Sequence, residues 1–268
     1  AAQAELDKVG EPPDDWGAAA ADLLSARILA RQEDDEALQL LWERQPPAQN
    51  NAARALRVRL MAIRAFRSRS SDPEAGREAM GRLACHLEQC GDYAGLAMCL
   101  NVRGTLDLRL GDRVAAEAAF ERAATIAVVT GDPYLVQGAL TNLSRVQALR
   151  GATVEADRNL SAALWLSDQL GLGRDSAQTE VWAAERALAR GDQSEAHAWI
   201  ARAQSLVAKL DSDWEQAHFL AARAAVCAVW PCEGVVPSRD IAAAERLFLR
   251  AGDEANRARM ARLRTRSG

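Results

Sequence analysis

Gly91, Gly111, Gly131, Gly151, Gly171 and Gly191 stand twenty residues apart, and an aspartate follows directly at Asp92, Asp112, Asp132 and Asp192. Glycine adopts the left-handed conformation that closes a helix, and an aspartate beside it can cap the amides that open the next. A chain punctuated in this way is a succession of helices joined by tight turns. Between the glycines the apolar spacing is helical: Ala116, Ala119, Phe120, Ala123 and Ala127 form one stripe. The chain is rich in alanine, leucine and arginine and only 5% aromatic, a composition that favours helix over strand. The expected fold class is all-α.

The helices alternate in kind. After Gly111, Gly151 and Gly191 comes alanine, a larger apolar residue four later and alanine three after that: Ala116, Phe120, Ala123; Ala156, Leu160, Ala163; Ala196, Ile200, Ala203. Matching positions differ by forty. Twelve residues before each first alanine lies a small residue, Gly104, Ser144 or Ala184, with Ala224 next in the series. Small side chains are what allow two helices to approach closely.

This phrase resembles the tetratricopeptide repeat, and GDRVAAEAAFERAA from Gly111 to Ala124 is its best copy. The usual period is about 34 residues, so forty implies longer helices, as in the superhelices of large bacterial signal-responsive activators and of kinesin light chains. The resemblance implies a right-handed superhelical solenoid of antiparallel helix hairpins, with about six repeats and a C-terminal helix.

Outside the strong copies the pattern is worn. Residues 1–14, with Pro12 and Pro13 amid charge, read as a flexible lead-in, residues 15–252 as the repeat domain and residues 253–268 as a C-terminal capping helix or linker. A first hairpin is expected from Asp15 to Gln45, ended by Pro46 and Pro47, and a second pairs Ala52–Ser68 with Pro73–Gln89. Pro231, Gly234 and Pro237 interrupt the pattern from Trp230 to Asp240, which reads as an eight-residue loop insertion before Ala244, Phe248 and Ala251 resume the repeat.

Several classes of function are disfavoured. With 33 basic and 37 acidic residues the net charge is −4, so direct nucleic-acid binding is not expected. No window approaches the apolar length of a membrane helix. The five cysteines, Cys85, Cys90, Cys99, Cys227 and Cys232, are an odd number in a chain far larger than disulfide-dense secreted scaffolds. They are expected to be buried and inert, in a reducing, cytoplasmic setting. His86, His197 and His218 are far apart in sequence, and Cys85, His86 and Cys90 are too few for a structural zinc site. No phosphate-binding glycine loop, nucleophile elbow or metalloprotease helix occurs. The expectation is a protein that is not an enzyme and uses no metal or cofactor. Its seven tryptophans are assigned to packing between helices, and Arg257, Arg259, Arg262, Arg264 and Arg266 to a solvated terminal helix or linker.

In the family that the repeats resemble, the first helix of each hairpin lines a concave face in which extended peptides lie. Carried onto this sequence, the inward positions are six and three before each small residue and one and four after it. They nominate Met98, Asn101 and Thr105; Thr141 and Arg145, with Asn142 beside them; Gln178, Val181 and Glu185; and His218. The small apolar positions of the same face include Ala221 and Ala225. The mixture of amide, hydroxyl, single charge and small apolar residue suits a peptide backbone with shallow side-chain pockets. The lysine and asparagine set by which chaperone-binding members hold a terminal carboxylate is not matched. The expected function is a protein- or peptide-binding scaffold, the interaction or sensory module of a bacterial regulatory protein, with self-association a further option. The alternative is a small-molecule-sensing regulatory domain of a transcription activator or signalling enzyme.

Overall fold

The computed structural model describes residues 72–172, 176–210, 212–250 and 253–267, all of them helix or the turns between helices. The chain divides into two compact units, Ala1–Asn142 and Leu143–Gly268. The lead-in, the first hairpin, the first helix of the second hairpin, Trp16 and Trp42 lie outside the described residues.

Within the first unit, α1 (Pro73–Cys90), α2 (Tyr93–Arg109), α3 (Arg113–Thr130) and the start of α4 (Pro133–Arg150) follow at twenty-residue spacing. Their turns show why. Gly91, Gly111 and Gly131 take φ of 72°, 83° and 68°, the left-handed region that only glycine enters freely. The N–H of the next residue then reaches back to close the finished helix: Asp92 to Leu87 O at 3.0 Å, Asp112 to Asp107 O at 2.9 Å and Asp132 to Ala127 O at 3.0 Å. The same aspartates turn their carboxylates forward, accepting from the amides of Gly95 at 2.9 Å, Ala115 at 3.0 Å and Leu135 at 3.1 Å. One residue therefore ends a helix with its backbone and begins another with its side chain.

The core of this unit gathers Met80, Leu83, Leu87, Leu96, Leu100 and Leu106. Gly104 meets Phe120 at closest approach: a Cβ on Gly104 would lie 2.6 Å from the ring, and Phe120 is fully buried. The small-then-bulky pairing in the sequence is thus a direct contact between α2 and α3.

The second unit comprises the rest of α4 with α5 (Thr153–Leu170), α6 (Ala177–Arg190), α7 (Gln193–Val207), α8 (Asp213–Val229), α9 (Pro237–Arg250) and α10 (Glu254–Ser267). Ala184 and Ile200 share one core cluster, and Ala224 and Phe248 another, repeating the pairing of Gly104 with Phe120. Asp192 caps α7 through the amide of Glu195 at 2.9 Å. Ala152 stands where the turns at Gly91, Gly111, Gly131 and Gly191 have aspartate, and α5 has no side-chain cap.

Like helices stack on like. In the first unit Arg122 of α3 pairs with Glu88 of α1 at 2.6 Å, and in the second Arg202 of α7 pairs with Asp168 of α5 at 2.9 Å. Each residue of the later pair stands eighty positions, two periods, beyond its counterpart. These half-exposed pairs add little stability, but they report the same register in both units. The fold is all-α and built of repeated helix hairpins, as the spacing predicts.

Two expectations are corrected. Helix α9 starts at Pro237 and α8 ends at Val229, so the irregular segment is 230–236 and not the whole of Trp230–Asp240. Proline breaks a helix interior but is favoured at the first helical position, where its missing N–H is not needed. Trp165 is 61% exposed on α5 and does not pack between helices.

Two outcomes follow from these contacts. Gly104→Ala adds a methyl against Phe120; overpacking costs about 1–3 kcal/mol, and the better helix propensity of alanine returns at most about 1 kcal/mol. Urea denaturation should show a net loss that Phe120→Leu in the same chain partly reverses. Ala152→Asp supplies the missing cap and should raise stability by about 0.5–1 kcal/mol, read as a higher thermal midpoint. The backbone at Ala152, φ −78° and ψ 69°, already matches that of capping Asp112 at −81° and 79°.

Candidate functional site

The first-helix faces can be followed position by position. Three residues before each small residue stand Asn101, Thr141, Val181 and Ala221, and only Asn101 is not buried. One residue after it stand Thr105, Arg145, Glu185 and Ala225, all half-buried. The stripe that faces outward is therefore the second of these, while the first turns toward the helix interface. Val181 belongs to the core cluster of α6 and α7. His218, six before Ala224, is also buried, its ring 4.3 Å from Trp214 and 5.0 Å from Phe248. Thr141 is buried and donates to Gln137 O at 3.0 Å. These three are corrected from an open face to the packed interior, because valine, an aromatic-flanked imidazole and a back-bonded hydroxyl gain more there than in water.

In the first unit the stripe yields an amide pair. Asn142 Nδ2 of α4 donates to Asn101 Oδ1 of α2 at 3.0 Å. Thr105 donates to Asn101 O of its own helix at 3.1 Å, and half-buried Met98 rests on the core. Asn101 and Asn142 are thus brought together, while Met98 and Thr105 serve packing and their own helix.

The second unit holds the charged part. Glu185 of α6 accepts a 2.6 Å bond from Arg259 Nη2 of α10, with the two side chains 16% and 32% exposed. The attraction of Glu185 raises the pKa of Arg259 above its ordinary value, against the opposing effect of burial. Arg145 of α4 is in the reverse position. Burial lowers its pKa, Glu185 and Asp253 oppose that shift, and Arg259 adds to it. Arginine stays protonated at any physiological pH, so Arg145 carries its charge in a half-buried position. No ion pair within 4 Å or hydrogen bond satisfies the Arg145 guanidinium among the described residues. At the corresponding position of α8, a helix that touches both α6 and α10, the residue is Ala225. Gln178, half-buried on α6, lies one turn before Val181.

Arg259 has no place in the forty-residue phase and was assigned to solvent. Its neighbour Met260 is fully buried with Ala221 and Phe248, which seats α10 against α8 and α9 and carries Arg259 to Glu185. Other buried charges lie away from the stripe. Asp107 sits 3.7 Å from Arg103 and 4.0 Å from Arg77, and Glu180 pairs with Arg202 at 2.9 Å. Burial raises both carboxyl pKa values and the arginines oppose it.

The cysteines differ from the expectation of uniform inertness. Cys99 is buried, donates to Met80 O at 3.2 Å and has its thiol pKa pushed up to about 12 by burial. Cys85 is exposed, and Cys227 and Cys232 are joined in a disulfide. The partners are five positions apart in sequence, whereas the cysteine count led to an expectation of free, buried thiols. Among the described residues no three of histidine, cysteine, aspartate and glutamate are placed to hold a metal, and no helix is long and apolar enough to cross a membrane.

No family model matches the chain, and no curated protein matches it. Among solved structures it is similar to BtubC (BKLC) from P. vanneervenii, at 19% identity and a TM-score of 0.49, over 75% of this chain and 91% of that chain.

Glu185 is the one carboxylate that Arg145 and Arg259 share at this point. Glu185→Gln should cost about 1–3 kcal/mol, less than the roughly 3–5 kcal/mol of a fully buried pair because Arg259 is one-third exposed. Arg145→Met in the same chain should return part of that loss in a double-mutant cycle read by urea denaturation.

Proposed function

We propose that this chain is a protein- or peptide-binding scaffold of tetratricopeptide type, without catalytic activity of its own, and that the first-helix face of its second unit is where a ligand docks. Arg145 carries the reading. It is half-buried at the open stripe position, its charge is permanent, and it lacks an anionic partner at contact distance among the described residues. A bound segment that brings an acceptor, a carboxylate or a run of backbone carbonyls, pairs with that charge. Gln178 adds an amide on the same face, and Ala225 leaves room beside the charges.

The forty-residue repeat resembles that of bacterial signal-responsive activators, which supports reading such a module as part of a bacterial regulatory protein, where binding on this face would be the sensory or assembly step. A small carboxylate-bearing metabolite is the second reading, since Arg145 could receive it as well. Selection from a random displayed-peptide library, followed by fluorescence anisotropy on the winners, separates the two. Peptides of several residues should bind, and Arg145→Ala should weaken them at least about tenfold, equal to about 1.4 kcal/mol. Asn101→Ala, in the first unit, should leave them nearly unchanged. Winners indifferent to both Arg145→Ala and Gln178→Ala would refute the docking face. Failure to select any peptide, with a thermal shift from small carboxylic acids alone, would favour the sensing domain.

A further inference from the structure

The irregular segment between α8 and α9 holds a group that the binding reading leaves unused. Cys227 is buried on the last turns of α8, while Cys232 is half-buried in a loop whose neighbours Pro231, Glu233 and Gly234 are all exposed. The disulfide between them has one sheltered and one reachable sulfur. His197, from a different helix, completes the arrangement. Its Nε2 lies 3.7 Å from Cys232 Sγ and 3.4 Å from the carbonyl oxygen of Trp230, and its ring stands edge-on to that of Trp230 at 6.3 Å.

We propose that Cys227–Cys232 is a thiol–disulfide exchange site, reduced by a dithiol that attacks Cys232, with His197 as the proton partner of the Cys232 sulfur. In the first step a thiolate of the reductant bonds to Cys232 Sγ, the bond to Cys227 breaks, and Cys227 leaves with the electron pair and takes a proton. The second thiolate of the reductant then attacks its own sulfur in the mixed disulfide. Cys232 leaves as thiolate beside the imidazole, which, when protonated, can hold it as an ion pair or pass its proton to it. The reductant ends as a disulfide and the protein as two thiols, a balanced two-electron exchange.

Three features favour exchange over a purely structural cross-link. A bridge across five residues constrains the unfolded chain far less than one closing a long loop. Its accessible sulfur is the one beside the imidazole. Opening it also spares the helices: α8 is closed by the Trp230 N–H to Val226 O bond at 2.9 Å, independently of the sulfurs, so what is released is the segment Pro231–Val236, with its turn at Gly234.

The test uses the folded full chain. Dithiothreitol without denaturant, followed by alkylation and peptide mass spectrometry, should label Cys227 and Cys232 together while the helical circular-dichroism signal persists. Amide exchange should then quicken across residues 232–236. Glutathione should form its first adduct on Cys232. In Cys227→Ser, Cys232 should react with iodoacetamide at least tenfold faster than exposed Cys85, and His197→Gln added to that chain should abolish the advantage. Four results would each overturn the proposal: a bond reducible only in denaturant, an adduct on Cys227, Cys232 no faster than Cys85, or a rate unchanged by both His197→Gln and His197→Asn. Thiols already free in the air-oxidised protein would do so as well.

Discussion

Among the described residues, the regular part of the repeat is timed by a two-residue turn. Glycine in the left-handed conformation lets the following N–H close the finished helix, and the aspartate carrying that N–H caps the next helix through its carboxylate. Since opening and closing are done by one residue, helix length and spacing repeat together. Packing inherits the rhythm: the position that puts Gly104 against Phe120 recurs as Ala184 with Ile200 and as Ala224 with Phe248. A turn that drifted by one residue would rotate the following helix by about 100° and carry the small residue away from its bulky partner.

That coupling explains why so much of the fold is legible in residue order. Turn and packing signals are both local, and they agree, so a shared period of twenty and forty specifies helix ends and interfaces alike. Prolines were read less well because their meaning depends on position. Pro133 and Pro237 open helices, and only the second lay where two other breakers made a loop the natural reading.

The candidate site was legible in its stripe and not in its inner and outer edges. A helical face is about 100° wide, so positions one residue after the small side chain could be told from those three before it only once the neighbouring helices were in place. Thr141, Val181 and His218 fell on the inner side for this reason. Arg145 and Glu185 occupy the same phase forty residues apart, and both are half-buried. Arg259 was not legible there, since it reaches Glu185 from a helix that follows the insertion and stands outside the repeat. The disulfide was missed on a different ground: a count of five cysteines argues about the average redox setting of a chain, not about two residues brought together by one loop.

Regularity and chemistry are thus divided between different parts of the chain. The repeat places its charges at equal steps, which tends to keep them apart, whereas a departure from the repeat can deliver a residue to a position the period would never fill. Arg259 is such a delivery. It takes Glu185 as its ion-pair partner, while Glu185 and Asp253 act on Arg145 through their charge; the Asp253 carboxylate also accepts the amide of Asn256 at the start of α10. The seating of α10 therefore controls how much negative charge Arg145 feels, although the two are far apart in sequence.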